Sequence, residues 1–373
     1  MKDVPIDEVL VLTSYADVSS VLRGVGWSND PRLHYDAPPE AAKIPPIFLM
    51  FFDEVDHHRV REILNPTFTR SALEPIRPLI STIVDAVLDG LAEETSDIVD
   101  LVHNYSELIP LAVLSELLDV GPEAAEAIRI HTADVVKILQ VGSNAADLAD
   151  SIDAAFELTA VFTPLIVDRQ KRPGNDLISG LLAYGGVTVD EVLAICMILL
   201  AAGYETPADT ISNGVLALLR QPDQRKYLFA DPARAVEELL RVAGSIRLLK
   251  RTALIDQKIG DLDIPTGTTV VVDLHRANTD PRRYADPERM DLTRQPRAHV
   301  GLGKGAHMCL GATLGRIQTG EALTRLFTRF PDIRLVDSHR PQWRTMKELQ
   351  GLLALPVKLG PEFRGAPELG ADR

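Results

Sequence analysis

Apolar residues at helical spacing dominate the middle of the chain. From Ser71 to Leu182 they predict a series of amphipathic helices, broken near Gly121-Pro122 and at Arg172-Pro173-Gly174. Tyr15 to Arg23 reads as a helix, and so does Asp53 to Arg61, continuing toward Asn65 and Phe68. Thr188-Val-Asp-Glu191 has the form of a capping box, and a buried helix of about 30 residues, roughly 45 Å at 1.5 Å per residue, should follow it. Short strands are expected at Val9 to Thr13, Ser245 to Arg251, Thr268 to Asp273, Ile333 to Val336 and Leu352 to Val357. Trp27 to Asp30 reads as a turn, residues 31–47 with five prolines as an irregular loop, and 361–373 as a frayed tail. The pattern is that of a mainly α protein with small β-sheets (α+β).

The long central helix carries one anomaly. Ala202-Gly203-Tyr204-Glu205-Thr206 sets polar groups in an apolar run, where an unpaired carboxylate is costly. Pro207 cannot donate to the carbonyl of Gly203, so the helix should kink there.

Composition narrows the function. A formal charge of -14 disfavours binding to nucleic-acid phosphates and points to a small-molecule substrate. The longest apolar run, Val192 to Gly203, is too short for a bilayer that needs about 20 residues, so no membrane partner and a cytoplasmic location are expected. Length alone suggests two domains; the motifs argue for a single one over 1–360.

Of the two cysteines, Cys196 lies in an apolar stretch. Cys309 stands in Gly301-Leu-Gly-Lys-Gly-Ala-His-Met-Cys-Leu-Gly-Ala-Thr-Leu-Gly-Arg316, a glycine-rich loop opening into a helix. Amides at a helix start favour negative charge, so this thiol is expected to have a lowered pKa and to ligate a metal as thiolate. A structural zinc site needs about four ligands and no such set exists; one thiolate suits haem. Gly311 lets a flat ligand approach the backbone.

Residues Gly303 to Leu314 closely resemble the haem-ligand loop of the cytochrome P450 family, with Leu302 in place of the usual phenylalanine and Gly315 in place of alanine. The resemblance runs from about residue 9 to 359, and the N-terminus looks shortened beside the family. It implies the cytochrome P450 fold, with haem b (iron protoporphyrin IX) held between the long central helix and the cysteine-loop helix. Cys309 would be the metal ligand. His57, Arg61, Arg251 and His307 would bind the propionates, and Ala202, Gly303 and Gly311 would also contact the cofactor. Glu205 and Thr206 match the family's acid and alcohol, which deliver protons to iron-bound dioxygen. Glu238 and Arg241 match its ExxR pair, completed by Arg294, a structural trio. The region around Asp134 to Ile166 corresponds to the lid helices.

The substrate pocket is expected to include Ile198, Ala202, Arg247, Leu249 and Leu349. Arg247 rests on strand parity: if Arg251 faces a propionate, Leu249 and Arg247 share its side. There Arg247 would contact an acidic substrate or pair with Glu348. The implied activity is monooxygenation, most simply hydroxylation in bacterial secondary metabolism. Electrons would come from a separate ferredoxin and ferredoxin reductase, docking on the cysteine side through Lys304 and Arg297. Two alternatives stay open: a haem-thiolate enzyme that uses peroxide or rearranges its substrate, and a non-catalytic partner protein.

Overall fold

The structure, a computed structural model, describes residues 9–37, 54–135, 137, 145–336, 340–345 and 347–363. Most of the proline-rich loop, part of the lid region and the end of the tail lie outside them.

The chain opens with strand β1 (Leu10–Leu12) and helix α1 (Tyr15–Arg23), whose N-cap Ser14 accepts from the Asp17 N–H. β2 (Trp27–Ser28) follows where a turn was expected. The reason is tertiary: Trp27 and Ser28 pair antiparallel with Ala253 and Thr252 of β3 (Leu248–Ala253). β4 (Thr269–Asp273) pairs antiparallel with β3 and parallel with β1, giving the sheet order β1-β4-β3-β2. Central β4 has no exposed face. Val270 and Val272 are fully enclosed, each worth roughly 1.5–3 kcal/mol relative to exposure.

Helices dominate the remainder, as the periodicity predicts. The expected break near Gly121 is a left-handed Asp119 (φ 50°) between helices Leu108–Leu118 and Pro122–Val135. A two-residue strand, Val99–Asp100, interrupts this region unannounced by the sequence pattern. It pairs with Pro356–Lys358, which also pairs with Arg334–Leu335. The single strand expected over 352–357 is therefore two: Leu352–Ala354 pairs instead with Gln342–Trp343. Leu355, between them, donates its N–H to Asp100 Oδ1 (2.7 Å) and turns the chain from one sheet to the other.

α2 (Glu54–Leu64) carries the first cationic motif. The central helix begins as α3 (Val189–Gly203), with Thr188 and Glu191 forming the reciprocal capping box. It does not run on as one kinked helix. Tyr204 (φ -98°, ψ -67°) separates α3 from α4 (Glu205–Arg220), because Pro207 offers no N–H to the Gly203 carbonyl. α5 (Pro232–Ala243) and α6 (Ala312–Arg329) pack against α4 in the main core, where Leu239, Leu216 and Leu323 are buried. The start of the expected frayed tail is docked: Glu362 pairs with Arg329 (2.7 Å), and the Phe363 N–H donates to the Arg329 carbonyl (2.8 Å). Among the described residues no helix is long and apolar enough to cross a membrane.

Candidate active site

A cavity of about 430 Å³ lies between the α3–α4 joint, β3 and the loop leading into α6. The loop is shaped by its glycines. Gly303 (φ +69°) and Gly305 (φ +73°) adopt left-handed angles, and a Cβ on Gly305 would meet the Leu22 carbonyl of α1 at 2.4 Å. Lys304 ties the loop to α1, its Nζ donating to Tyr15 Oη (2.8 Å) and Ser19 Oγ (3.1 Å). The Cys309 N–H donates to the Leu302 carbonyl (2.8 Å), which fixes the cysteine at the entrance to α6.

The Cys309 sulfur opens on the cavity, so the residue counts as exposed, although protein surrounds it on most sides. Its thiol pKa is raised, contrary to expectation. Burial outweighs the backbone N–H of Gly311 and the positive charges of Arg61 and Arg316, all of which lower it.

Four further residues expected from the sequence reach the same cavity: His57 and Arg61 from α2, Arg251 from β3, and His307 from the loop. The rings of His57 and His307 stack with centroids 3.8 Å apart. Both are held neutral. Burial, reinforced by Arg61, lowers His57 to about 4; burial, then His57 and Arg251, lowers His307 to about 3. No acidic partner of Arg61 occurs among the described residues, and burial lowers its pKa. A lone thiol, two guanidinium groups and two ring N–H donors around a largely apolar space fit one group well: a flat metal complex with carboxylate arms.

At the α3–α4 joint, the Thr206 hydroxyl donates to the Ala202 carbonyl (2.8 Å), and Thr206 lines the cavity. Ala202 and Gly203 line the same wall. Glu205 also lines the cavity but is not a free carboxylate. Arg344 donates to its Oε1 (2.9 Å), while Oε2 is buried with no partner. Sequence reasoning missed Arg344 and also Asp209, whose carboxyl burial pushes up to about 7 against the pull of Arg344. Asp209 could have been found, since it lies one turn beyond Glu205 on a helix face. Arg344 could not, being brought in from a distant loop.

Ile198, Leu249 and Leu349 line the cavity, together with Leu248 and Lys250. Arg247 does not: it is exposed and off the lining, so its proposed substrate role is overturned. β3 starts at Leu248, and the Arg247 N–H is bound instead to the Glu348 carbonyl (2.7 Å), so strand parity does not extend to it. Parity fails within β3 too, because four consecutive residues, Leu248 to Arg251, reach the cavity.

Glu238, Arg241 and Arg294 form a network outside the cavity. Glu238 accepts from Arg241 Nε (2.8 Å) and Nη2 (2.7 Å), from Arg294 Nε (3.0 Å) and from the Asp291 N–H (3.0 Å). Arg241 Nη1 also binds the Asn278 and Pro287 carbonyls, tying α5 to the chain that leads into the cysteine loop.

The cavity joins a loop thiol to a broken central helix, and comparison with known proteins identifies the family that shares this fold. Residues 233–359 match the family model Cytochrome P450. Cytochrome P450 107B1 of Saccharopolyspora erythraea is 36% identical over 318 residues, 83% of this chain and 76% of that protein. The Vitamin D(3) 25-hydroxylase of Pseudonocardia autotrophica is 34% identical, covering 96% of this chain and 89% of its own. Among solved structures, P450BioI bound to an acyl carrier protein loaded with hexadec-9Z-enoic acid superposes with a TM-score of 0.87 at 27% identity, over 94% of this chain and 92% of that one. The chain belongs to the cytochrome P450 family. It is a monooxygenase, an oxidoreductase acting on a small molecule with dioxygen and redox partners, and membership implies a haem cofactor.

Proposed function

We propose that this protein, as a single domain over 1–360, hydroxylates a small organic substrate of bacterial secondary metabolism in the cytoplasm. Its haem is of the b type, and a ferredoxin with its reductase supplies electrons. The observation that carries the reading is that Cys309, the four residues suited to carboxylates, and the Glu205 and Thr206 pair all line one cavity. When bound, the haem supplies dioxygen activation at its iron. Cys309 would hold the metal as thiolate, and Arg61, Arg251, His57 and His307 would hold the carboxylate arms.

Thr206 Oγ1 positions a proton at the helix break, where its own hydrogen is committed to Ala202 and its lone pairs are open to a donor from the cavity. Glu205 stands beside it, with Oε1 fixed by Arg344. The lining around them is mainly apolar, with Ile198, Leu249 and Leu349 excluding water and matching a mostly hydrocarbon substrate. Lys250 adds no net charge there, because Asp36 pairs with it at 2.7 Å. Ferredoxin docks on the cysteine side, where Arg297 is exposed; Lys304 contributes less, being engaged by α1.

The test is Thr206→Ala. Product formed per reductant consumed should fall by about 100-fold or more while peroxide release rises, with haem content unchanged. Unchanged coupling would remove Thr206 from proton positioning.

A further inference from the structure

Behind the cavity wall formed by α4, three carboxylates share one guanidinium. Arg344 Nη1 lies 2.9 Å from Glu205 Oε1, its Nη2 3.7 Å from Glu107 Oε1, and its Nε 3.7 Å from Asp209 Oδ1. Glu205 and Asp209 are only 3% and 2% exposed. With all four groups ionised the cluster would carry two uncompensated negative charges, with Glu205 and Asp209 both buried, a costly arrangement that one proton held within it relieves. Other nearby cations do not remove the excess. His103, beside Glu107 at 2.9 Å, could supply at most one positive charge, and Arg129 is engaged by Glu126 (2.7 Å).

Geometry decides which carboxyl holds the proton. Glu205 accepts a direct charge-assisted hydrogen bond from Arg344. Glu107 is half-buried and has the His103 ring. Asp209 has neither advantage: the Arg344 Nε is beyond hydrogen-bond reach, and a hydroxyl, Ser245 Oγ at 3.0 Å, is its hydrogen-bond partner. The backbone closes over it, since a Cβ on Gly351 would stand 2.3 Å from Asp209 Oδ1.

We propose that Asp209 is a proton-holding positioning residue, whose neutral carboxyl leaves the Arg344 guanidinium to Glu205 and which exchanges its proton with the cavity through Ser245. The inference rests on the role given to Glu205 above. Burial first, and then Glu205, raise the Asp209 carboxyl against Arg344 and Ser245, to about 7. In the exchange, Asp209 donates its proton to Ser245 Oγ as the Ser245 hydroxyl releases its own to water in the cavity it lines. Ionised Asp209 then competes for Arg344, and Glu205 loses its fixed orientation.

The experiment compares haem-loaded wild type with Asp209→Asn, an isostere that stays neutral. By infrared titration, wild type should show a protonated-carboxyl C=O band that disappears as pH rises through about 7, and the variant should lack it. Product per reductant should fall severalfold between about pH 6 and about pH 8 in wild type and stay flat in the variant. Absence of a titrating band overturns the proposal, and so does an unchanged pH profile in Asp209→Asn. Should that variant not fold, Ser245→Ala removes the hydrogen bond that favours the charged form and should move the band's midpoint upward; an unmoved midpoint also overturns it. The band is read without turnover, so failure of the Glu205 and Thr206 reading would appear separately, in the coupling of Thr206→Ala.

Discussion

Replacing Cys309 by alanine should reduce monooxygenation more than about 100-fold, because removing residues that merely orient a metal ligand already costs 10–100-fold. The protein should still fold. Cys309 packs no core cluster, and its loop is held by Gly303, Gly305, the contacts of Lys304 with α1, and the Val300 N–H bond to Asn278 (2.8 Å). Activity assays alongside a thermal melt separate the two effects. Retained activity would mean that the chemistry does not depend on this thiol.

The largest stability effect is expected at Glu238. Its carboxylate is buried and offsets Arg241, 2% exposed at its side chain, and Arg294. Glu238→Ala would leave a buried guanidinium uncompensated, at about 3–5 kcal/mol. For a chain of this length that corresponds to roughly 5 °C in the melting midpoint, since unfolding entropy grows with size. Haem retention should fall as well, because Arg241 also binds the Asn278 carbonyl and the Asn278 side chain holds Val300 at the start of the cysteine loop. A melt within about 1 °C of wild type would show that the network is not needed for the fold.

What was legible in the sequence was mostly local. The Thr188 and Glu191 box, the α1 span and the glycines flanking Cys309 are set by neighbours three or four residues away, and the chain follows them. The cationic motif on α2 was equally readable, because His57 and Arg61 are one turn apart. Long-range pairing was not. Trp27 and Ser28 look like a turn until β3 arrives more than 200 residues later to pair with them. Separation in sequence also hides Arg344, which lies 139 residues beyond Glu205 and converts it from an apparently free acid into half of an ion pair.

Local rules fail at two positions. Strand alternation does not reach Arg247, one residue before β3 begins, and that side chain is exposed. Amides at a helix start favour a depressed Cys309 pKa, and the Gly311 N–H does lower it, but burial outweighs that effect. In the second case the residue remains the right one and only its resting protonation differs, since metal binding itself displaces the thiol proton.

Whether Cys309 ligates haem iron as a thiolate is read from the carbon-monoxide complex of the reduced, haem-loaded protein. The absorption maximum is expected at the long-wavelength position of a thiolate-ligated haem and should be lost in Cys309→Ala. A wild-type maximum at the short-wavelength position of an imidazole-ligated haem would contradict it, and would move the ligand from Cys309 to a histidine.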